Sequence, residues 1–221
     1  MTTITSWLDT ITTATSYLSS IDPIMAETIA QVGPCTLVPN PDIFEALVDA
    51  IISQQISVKA ADAIVARVRA ATANGRITPE AVAPFDFAAL RALGLSTPKV
   101  RYIHNLVQQV TSGQLDLTRL AELDDEAVIE QLVALKGIGR WTAEMILIFS
   151  LGRTDVLPVD DLGLLEGVRE AYGLPVRPTR KEMLTRGEQW RPYRTFATWY
   201  MWGIRRLNQR NARERTRIVS L

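Results

Sequence analysis

With 221 residues, 47% of them hydrophobic and 22% charged, the chain can bury a substantial core in one or two compact lobes. It holds no apolar run of roughly 18 residues, and its opening MTTITSWLDTITTATSYL lacks a basic leader segment, so the expectation is a cytoplasmic globular protein without a membrane span. The net charge is zero but segregated: Arg177 to Leu221 carries 12 basic and 3 acidic residues, a surplus of nine, which residues 1–176 balance with nine net negative charges.

One cysteine, Cys35, excludes an intramolecular disulfide framework and any all-cysteine cluster; it is expected as a small buried apolar residue. The lone histidine, His104, cannot build a multi-histidine metal site and is expected as a partly buried polar helix residue. The basic C-terminal stretch, with Arg205, Arg206, Arg210, Arg213, Arg215 and Arg217, suits a phosphate backbone, with a solvated helix face and frayed tail as the alternative.

In chain order, apolar spacing predicts helices over 4–19, 22–32, 41–54, 57–73, 79–82, 86–92, 97–111, 117–121, 125–135, 140–151, 161–171, 179–188 and 192–207. Gly33-Pro34, Asn74-Gly75, Gly94, Gly113, Gly173 and Pro175 supply stops. Ser57 and Asp124 suit N-caps, while Pro41, Pro79 and Pro98 suit first helical turns. Apart from short extended pieces near Thr36–Pro39 and Asp155–Pro158, no period-two alternation is sustained, so the fold class is all-α.

The most informative stretch is LKGIGRWTAEMILIFSLGRTDVLPVDD, residues 135–161. Val128, Ile129, Leu132 and Leu135 recur at helical spacing before it, and Trp141, Met145 and Phe149 follow at intervals of four, which reads as helix, short turn, helix. Gly137 and Gly139 allow a tight turn and leave no side chain over the amides, so N–H groups at the start of the next helix can meet a phosphate oxygen. Thr142 can add a hydroxyl, and Lys136 and Arg140 are nearby cations suited to phosphate contact or solvation. A bare G-x-G is equally compatible with a plain helical corner.

Together the LKGIGRWTA and LPVDD strings resemble the helix-hairpin-helix superfamily of DNA glycosylases, in its alkylbase branch, the 3-methyladenine DNA glycosylase II group. IISQQISVKAADAI at 51–64 is similar to that branch's segment entering the gap in the duplex. GLSTPKVRYI at 94–103 and QWRPYRTFATWYMW at 189–202 are similar to its later helices. The resemblance runs from about Asp22 to Trp202 and implies two helical lobes with a DNA-binding cleft: residues 44–154 holding the hairpin, and residues 1–43 with 155–221. It places Asp160 at the junction.

Cleaving an N-glycosidic bond leaves positive charge on the deoxyribose, which a nearby carboxylate stabilises, or the carboxylate orients the attacking water. The family's P-x-D pattern puts Asp160 in the catalytic position and leaves Asp161 as a helix N-cap or supporting group beside the substrate; both could instead merely cap the next helix. Trp141 stands where strand-cleaving relatives have a lysine, and tryptophan forms no Schiff base, which implies a monofunctional enzyme leaving an abasic site. An N3- or N7-alkylated purine is cationic, and Trp141 and Trp202 match pocket positions where aromatic rings attract it by about 0.5 to 2 kcal/mol each. Met145 and Asp161 depart from relatives with tyrosines there, implying a more open pocket. Trp199 and Tyr200 are expected as core.

The position that fills the vacated stack maps onto Gln55, with Ile56 beside it and Gln54 supporting the helix end. The resemblance further implies a Na⁺ or K⁺ ion on hairpin carbonyls, including those of Leu135 and Ile138, with no other cofactor required, and the single cysteine excludes the four-cysteine iron–sulfur cluster that some relatives carry. The expected function is excision of alkylated purines of the 3-methyladenine type from double-stranded DNA by a monomer in base-excision repair. The alternatives are a non-catalytic helix-hairpin-helix DNA grip, disfavoured by Asp160 and Trp141, and a glycosylase for oxidised or mismatched bases.

Overall fold

In a computed structural model the chain is described over residues 4–219, with side chains over 6–215, and the described residues contain helices and turns but no strand. The first unit opens with α1 (Ile4–Ile21) and α2 (Pro23–Val32). The second holds α3 (Ile43–Ser53), α4 (Val58–Ala71), the short α5 (Pro79–Val82) and α6 (Phe87–Ala92), α7 (Thr97–Thr111), a 3₁₀ turn at Leu117–Glu122, α8 (Asp125–Val133) and α9 (Arg140–Phe149). The chain then returns to the first unit with α10 (Leu162–Ala171), α11 (Arg180–Gln189) and α12 (Arg194–Val219). The two units are Met1–Val38 with Arg153–Leu221, and Pro39–Gly152. The extended segment after Val38 sits with the second unit because Asn40 N–H donates to Phe149 O at 2.7 Å, which moves the first boundary ahead of residue 43.

The helix starts follow from short polar side chains that accept first-turn N–H groups. Ser57 and Asp124 cap α4 and α8 as expected, accepting from Ala60 and Ala127. Pro79 and Pro98 lie in first turns. Pro41 does not: Asp42 is the cap of α3, accepting from Glu45 N at 3.2 Å, so the helix begins two residues later than the proline suggests. At the other end α12 passes residue 207 and reaches Val219, because RRLNQRNARERTR consists mostly of good helix formers even where no core remains to cover. Arg210, Arg213 and Arg215 are exposed along it. The side chain of Arg217 lies outside the described ones.

In the first unit α12 packs on α10, α2 and α1. Phe196, Tyr200 and Met201 are fully buried with Trp190, Leu18 and Met25, and each such side chain contributes roughly 1.5 to 3 kcal/mol of transfer free energy. Trp7 stacks at a tilt on Phe196 with ring centroids 5.7 Å apart, and its indole N–H donates to Leu37 O at 2.6 Å. Tyr200 is core as expected; Trp199 is only half-buried and meets the Tyr200 ring edge-on. The close crossing of α10 and α12 depends on Gly167, where a Cβ would lie 2.2 Å from Met201 O.

In the second unit α3 is the central helix: Ile43, Phe44, Leu47, Val48, Ile51 and Ile52 are all buried, against α4, α7 and α9. His104 bonds the Phe85 carbonyl at 2.9 Å, satisfying its expected part-buried role. Cys35, in the first unit, is buried, and burial pushes its thiol up to about 11, which keeps it protonated and inert.

Two outcomes follow from this packing. Gly167→Ala drives a methyl group into the backbone of α12 and is expected to destabilise the protein by about 1 to 3 kcal/mol, read as a lowered urea midpoint at unchanged helix content. Asp49, on α3, has an Oδ1 that is buried without a hydrogen-bond partner; burial first, then the charge of Glu45, push its carboxyl up to about 6 from an ordinary 3.8. The folded state therefore holds the proton more tightly than the unfolded state, and stability falls as pH rises from 3.8 through about 6. Asp49→Asn is expected to raise the unfolding midpoint above pH 6, with the gain vanishing below about pH 4, in a pH series of urea titrations.

Candidate functional site

The hairpin joins α8 to α9. Its turn closes with Ile138 N–H donating to Leu135 O at 3.1 Å, and both side chains are buried, anchoring the loop. Gly137 takes φ +89°, and a Cβ there would lie 2.4 Å from the Tyr102 ring, so both backbone conformation and space demand glycine. Gly139 is different: its φ is −98° and nothing stands within 4 Å of a would-be Cβ, so the tight turn requires only the first glycine. Gly139 is the N-cap of α9 and supplies no side-chain cap to it, and a helix start of this kind suits an anion.

Lys136 is exposed, with its own N–H held by Asn105 Oδ1. Arg140 is committed elsewhere: its guanidinium makes two bonds to Glu126, at 2.9 and 2.6 Å, and its Nε reaches Glu144 at 3.2 Å, bracing α8 against α9. Thr142 is only 6% exposed, which removes its hydroxyl from the surface and leaves its first-turn N–H as the group it can offer. On the same helix Trp141 is 50% exposed and Met145, one turn on, is half-buried.

Beyond α3 the chain reverses through Gln54 and Gln55. Gln55 has φ +57°, a left-handed conformation costly for a residue with a Cβ, and its side chain is exposed beside Ile56. Gln54 amide Nε2 donates to Gly137 O at 2.7 Å, and buried Lys99 donates to Ile52 O and Gln54 O, both at 2.7 Å. Sequence reading expected Gln54 to support the helix end; its bond to the hairpin, 83 residues away, and the part of Lys99 were invisible to it.

The two aspartates lie in the first unit, in the turn that leads into α10. Val159 N–H and Asp161 N–H bond back to Leu157 O and Pro158 O, both at 2.9 Å. The segment before the turn is held by the WRPYRT string. Arg194 and Arg191 each reach Asp155, and Thr195 hydroxyl donates to Arg153 O while accepting from Val156 N. Asp160 emerges from this frame exposed and ion-paired with Arg180, at side-chain exposures of 66% and 55%. Asp161 turns the other way: its Oδ1 accepts Leu164 N–H at 2.6 Å, as the cap of α10, and Trp202 indole N–H at 2.7 Å. Asp161 thus orients Trp202 as well as starting the helix. Arg205 donates to Leu162 O at the same helix start.

The structure therefore groups Asp160, Asp161 and Trp202 in one unit and Gln55, Ile56, the hairpin, Trp141 and Met145 in the other. Sequence reasoning missed Arg180 and the Asp155 clamp. The arginines of WRPYR were the available signal, since two guanidiniums three residues apart can share one carboxylate.

An all-helical chain with this hairpin and a carboxylate emerging after it defines a class of DNA-repair proteins, and comparison agrees. The profile of the HhH-GPD superfamily base excision DNA repair proteins matches residues 48–192. The chain belongs to that superfamily, in its alkylbase branch. It is 39% identical over 202 residues to DNA-3-methyladenine glycosylase 1 of Schizosaccharomyces pombe, covering 89% of each chain. Its fold superposes on a DNA-3-methyladenine glycosidase from Bacillus halodurans with a TM-score of 0.78 at 39% identity, over 86% of this chain and 87% of that one. It likewise matches the Schizosaccharomyces pombe 3-methyladenine DNA glycosylase in complex with abasic DNA, with a TM-score of 0.76 at 38% identity, over 86% and 95%.

Asp161→Ala removes the cap of α10 and the acceptor of Trp202 together. A loss of about 1 to 2 kcal/mol of stability is expected, with most of it retained in Asp161→Asn, because asparagine also caps. Thermal melts of the two variants check this.

Proposed function

We propose that the chain is a monofunctional DNA glycosylase that flips alkylated purines of the 3-methyladenine type out of duplex DNA and hydrolyses their N-glycosidic bond, in base-excision repair. The observation that carries this reading is Asp160: an exposed carboxylate on a turn braced from both sides, in a chain whose overall similarity is to 3-methyladenine glycosylases. An alkylated purine is a cationic leaving group and needs little acid catalysis; what the reaction needs is negative charge beside the developing sugar cation, or an acceptor for the water proton. Asp160 supplies either. Its ion pair with Arg180 has to open for this, and because both side chains are largely exposed the pair is worth about 1 kcal/mol or less.

Trp141, half-exposed in the second unit, and Trp202, oriented by Asp161 in the first, are each suited to stack on a cationic base, and Met145 leaves more room beside Trp141 than a tyrosine would. Trp141 cannot form a Schiff base, so the product is an intact strand with an abasic site. Gln55 and Ile56 enter the stack vacated by the flipped nucleotide. Lys136 and the amides of Gly137, Gly139 and Thr142 grip the backbone of the partner DNA. The carbonyls of Leu135 and Ile138 are hard oxygen donors of the kind that a Na⁺ or K⁺ ion takes, and such an ion would add positive charge toward the gripped phosphate. No other cofactor is required, the protein acts as a monomer, and its compartment is the cytoplasm. Among the described residues no helix is long and apolar enough to cross a membrane.

The test is base release from methylated duplex DNA by wild type and Asp160→Asn, with strand breakage scored before and after alkali. Wild type is expected to release base, with breaks only after alkali. Asp160→Asn is expected to lose at least about 100-fold in rate, roughly 3 kcal/mol of transition-state stabilisation, while still binding DNA. An active Asp160→Asn would remove the carboxylate from this role, and a wild type that binds but releases no damaged base would make the chain a DNA grip without chemistry.

A further inference from the structure

Lys99 is 9% exposed, yet its hydrogen bonds are to two carbonyls, Ile52 O and Gln54 O, and desolvation alone accounts for its lowered pKa. An ammonium buried without a carboxylate is costly. Here the cost is offset at the carbonyl end of α3, where the helix dipole favours a cation and the last carbonyls lack helical donors. Lys99 thereby pins those carbonyls just before the chain reverses. The residue after Gln54 is Gln55, held at φ +57°.

The same short stretch is tied a second time. Gln54 Nε2 donates to Gly137 O at 2.7 Å, so the reversal is bonded to the hairpin's turn. Behind that turn lies the ring of Tyr102, against which Gly137 packs too closely for a Cβ. Lys99 and Tyr102 are three residues apart on α7 and so share a face of that helix. One helix thus backs the reversal through Lys99 and the hairpin through Tyr102, while Gln54 joins the two in front.

We propose that Lys99 and Gln54 are positioning residues that make the Gln55–Ile56 loop and the Leu135–Gly139 hairpin a single rigid piece, so that the backbone grip and the group entering the duplex are held at a fixed spacing. This rests on the reading of Gln55 as the group that enters the vacated stack. It assigns to both residues an effect on base flipping and none on bond cleavage. Phosphate binding at the hairpin then holds the Gln55 loop in register without any further movement of the loop.

The experiment is single-turnover excision of an alkylated purine from two duplexes, one with the lesion paired and one with it opposite an abasic position, where flipping costs less. Gln54→Ala, which leaves the backbone of the reversal intact, is expected to slow excision about tenfold from the paired duplex and no more than about twofold from the unpaired one. Gln55→Ala is expected to show the same pattern, and the double variant to be no slower than the slower single, because the two act through one device. Lys99→Met should match Gln54→Ala if it folds, as judged by its circular dichroism melt; Gln54→Ala decides the question if it does not. Equal losses on both duplexes, no loss on either, or losses that multiply in the double variant would overturn the proposal while leaving the glycosylase reading intact. A wild type inactive on both duplexes would overturn that reading, and this inference with it.

Discussion

The hairpin depends on a missing side chain. Gly137 lies against the Tyr102 ring at a distance that no Cβ could occupy, in a backbone conformation that other residues rarely adopt. Because the turn can press onto α7, its carbonyl faces Gln54, its flanking apolar side chains Leu135 and Ile138 sink into the core, and α9 starts without a side-chain cap. Arg140 engages Glu126 and Glu144 across the two flanking helices.

In the first unit the corresponding constraint is the hold on the segment before Asp160. Asp155 is bound by two arginines, and Thr195 satisfies both a carbonyl and an amide of a stretch that has no regular secondary structure of its own. Irregular backbone must place its polar groups somewhere, and here the WRPYRT string takes them. The result is a turn whose first aspartate can face outward because its second is fully engaged in capping α10 and orienting Trp202. Two adjacent residues of the same type do different work because Asp161 is held by a helix start and an indole while Asp160 meets only an exposed arginine partner.

Much of this was legible in the chain. Helix positions followed from apolar spacing and short polar caps, which act within one or two turns, and the errors fell where a local signal competed with another: Pro41 lost the start of α3 to Asp42, and α12 outran its apolar stripe on propensity alone. Asp160, Trp141 and Gln55 were candidates because of the family resemblance, and the structure leaves all three side chains exposed. Thr142 was misread as a surface hydroxyl because its inward direction depends on what α9 packs against.

Sequence by itself determined the all-helical class, the hairpin, the segregated charge and the single thiol, since each rests on composition or on contacts between near neighbours, while the family was read from the resemblance of its motifs. Only the tertiary structure decided that Gly137 is sterically indispensable and Gly139 is not, that Lys99 and Gln54 bind the Gln55 reversal and the hairpin into one piece, that Asp155 is the partner of the WRPYR arginines, and that Arg180 sits on Asp160. Those contacts join residues 20 to 83 positions apart, and a pairing over such distances leaves no periodic trace in the chain, because it is set by how whole helices pack and not by the order of residues along any one of them.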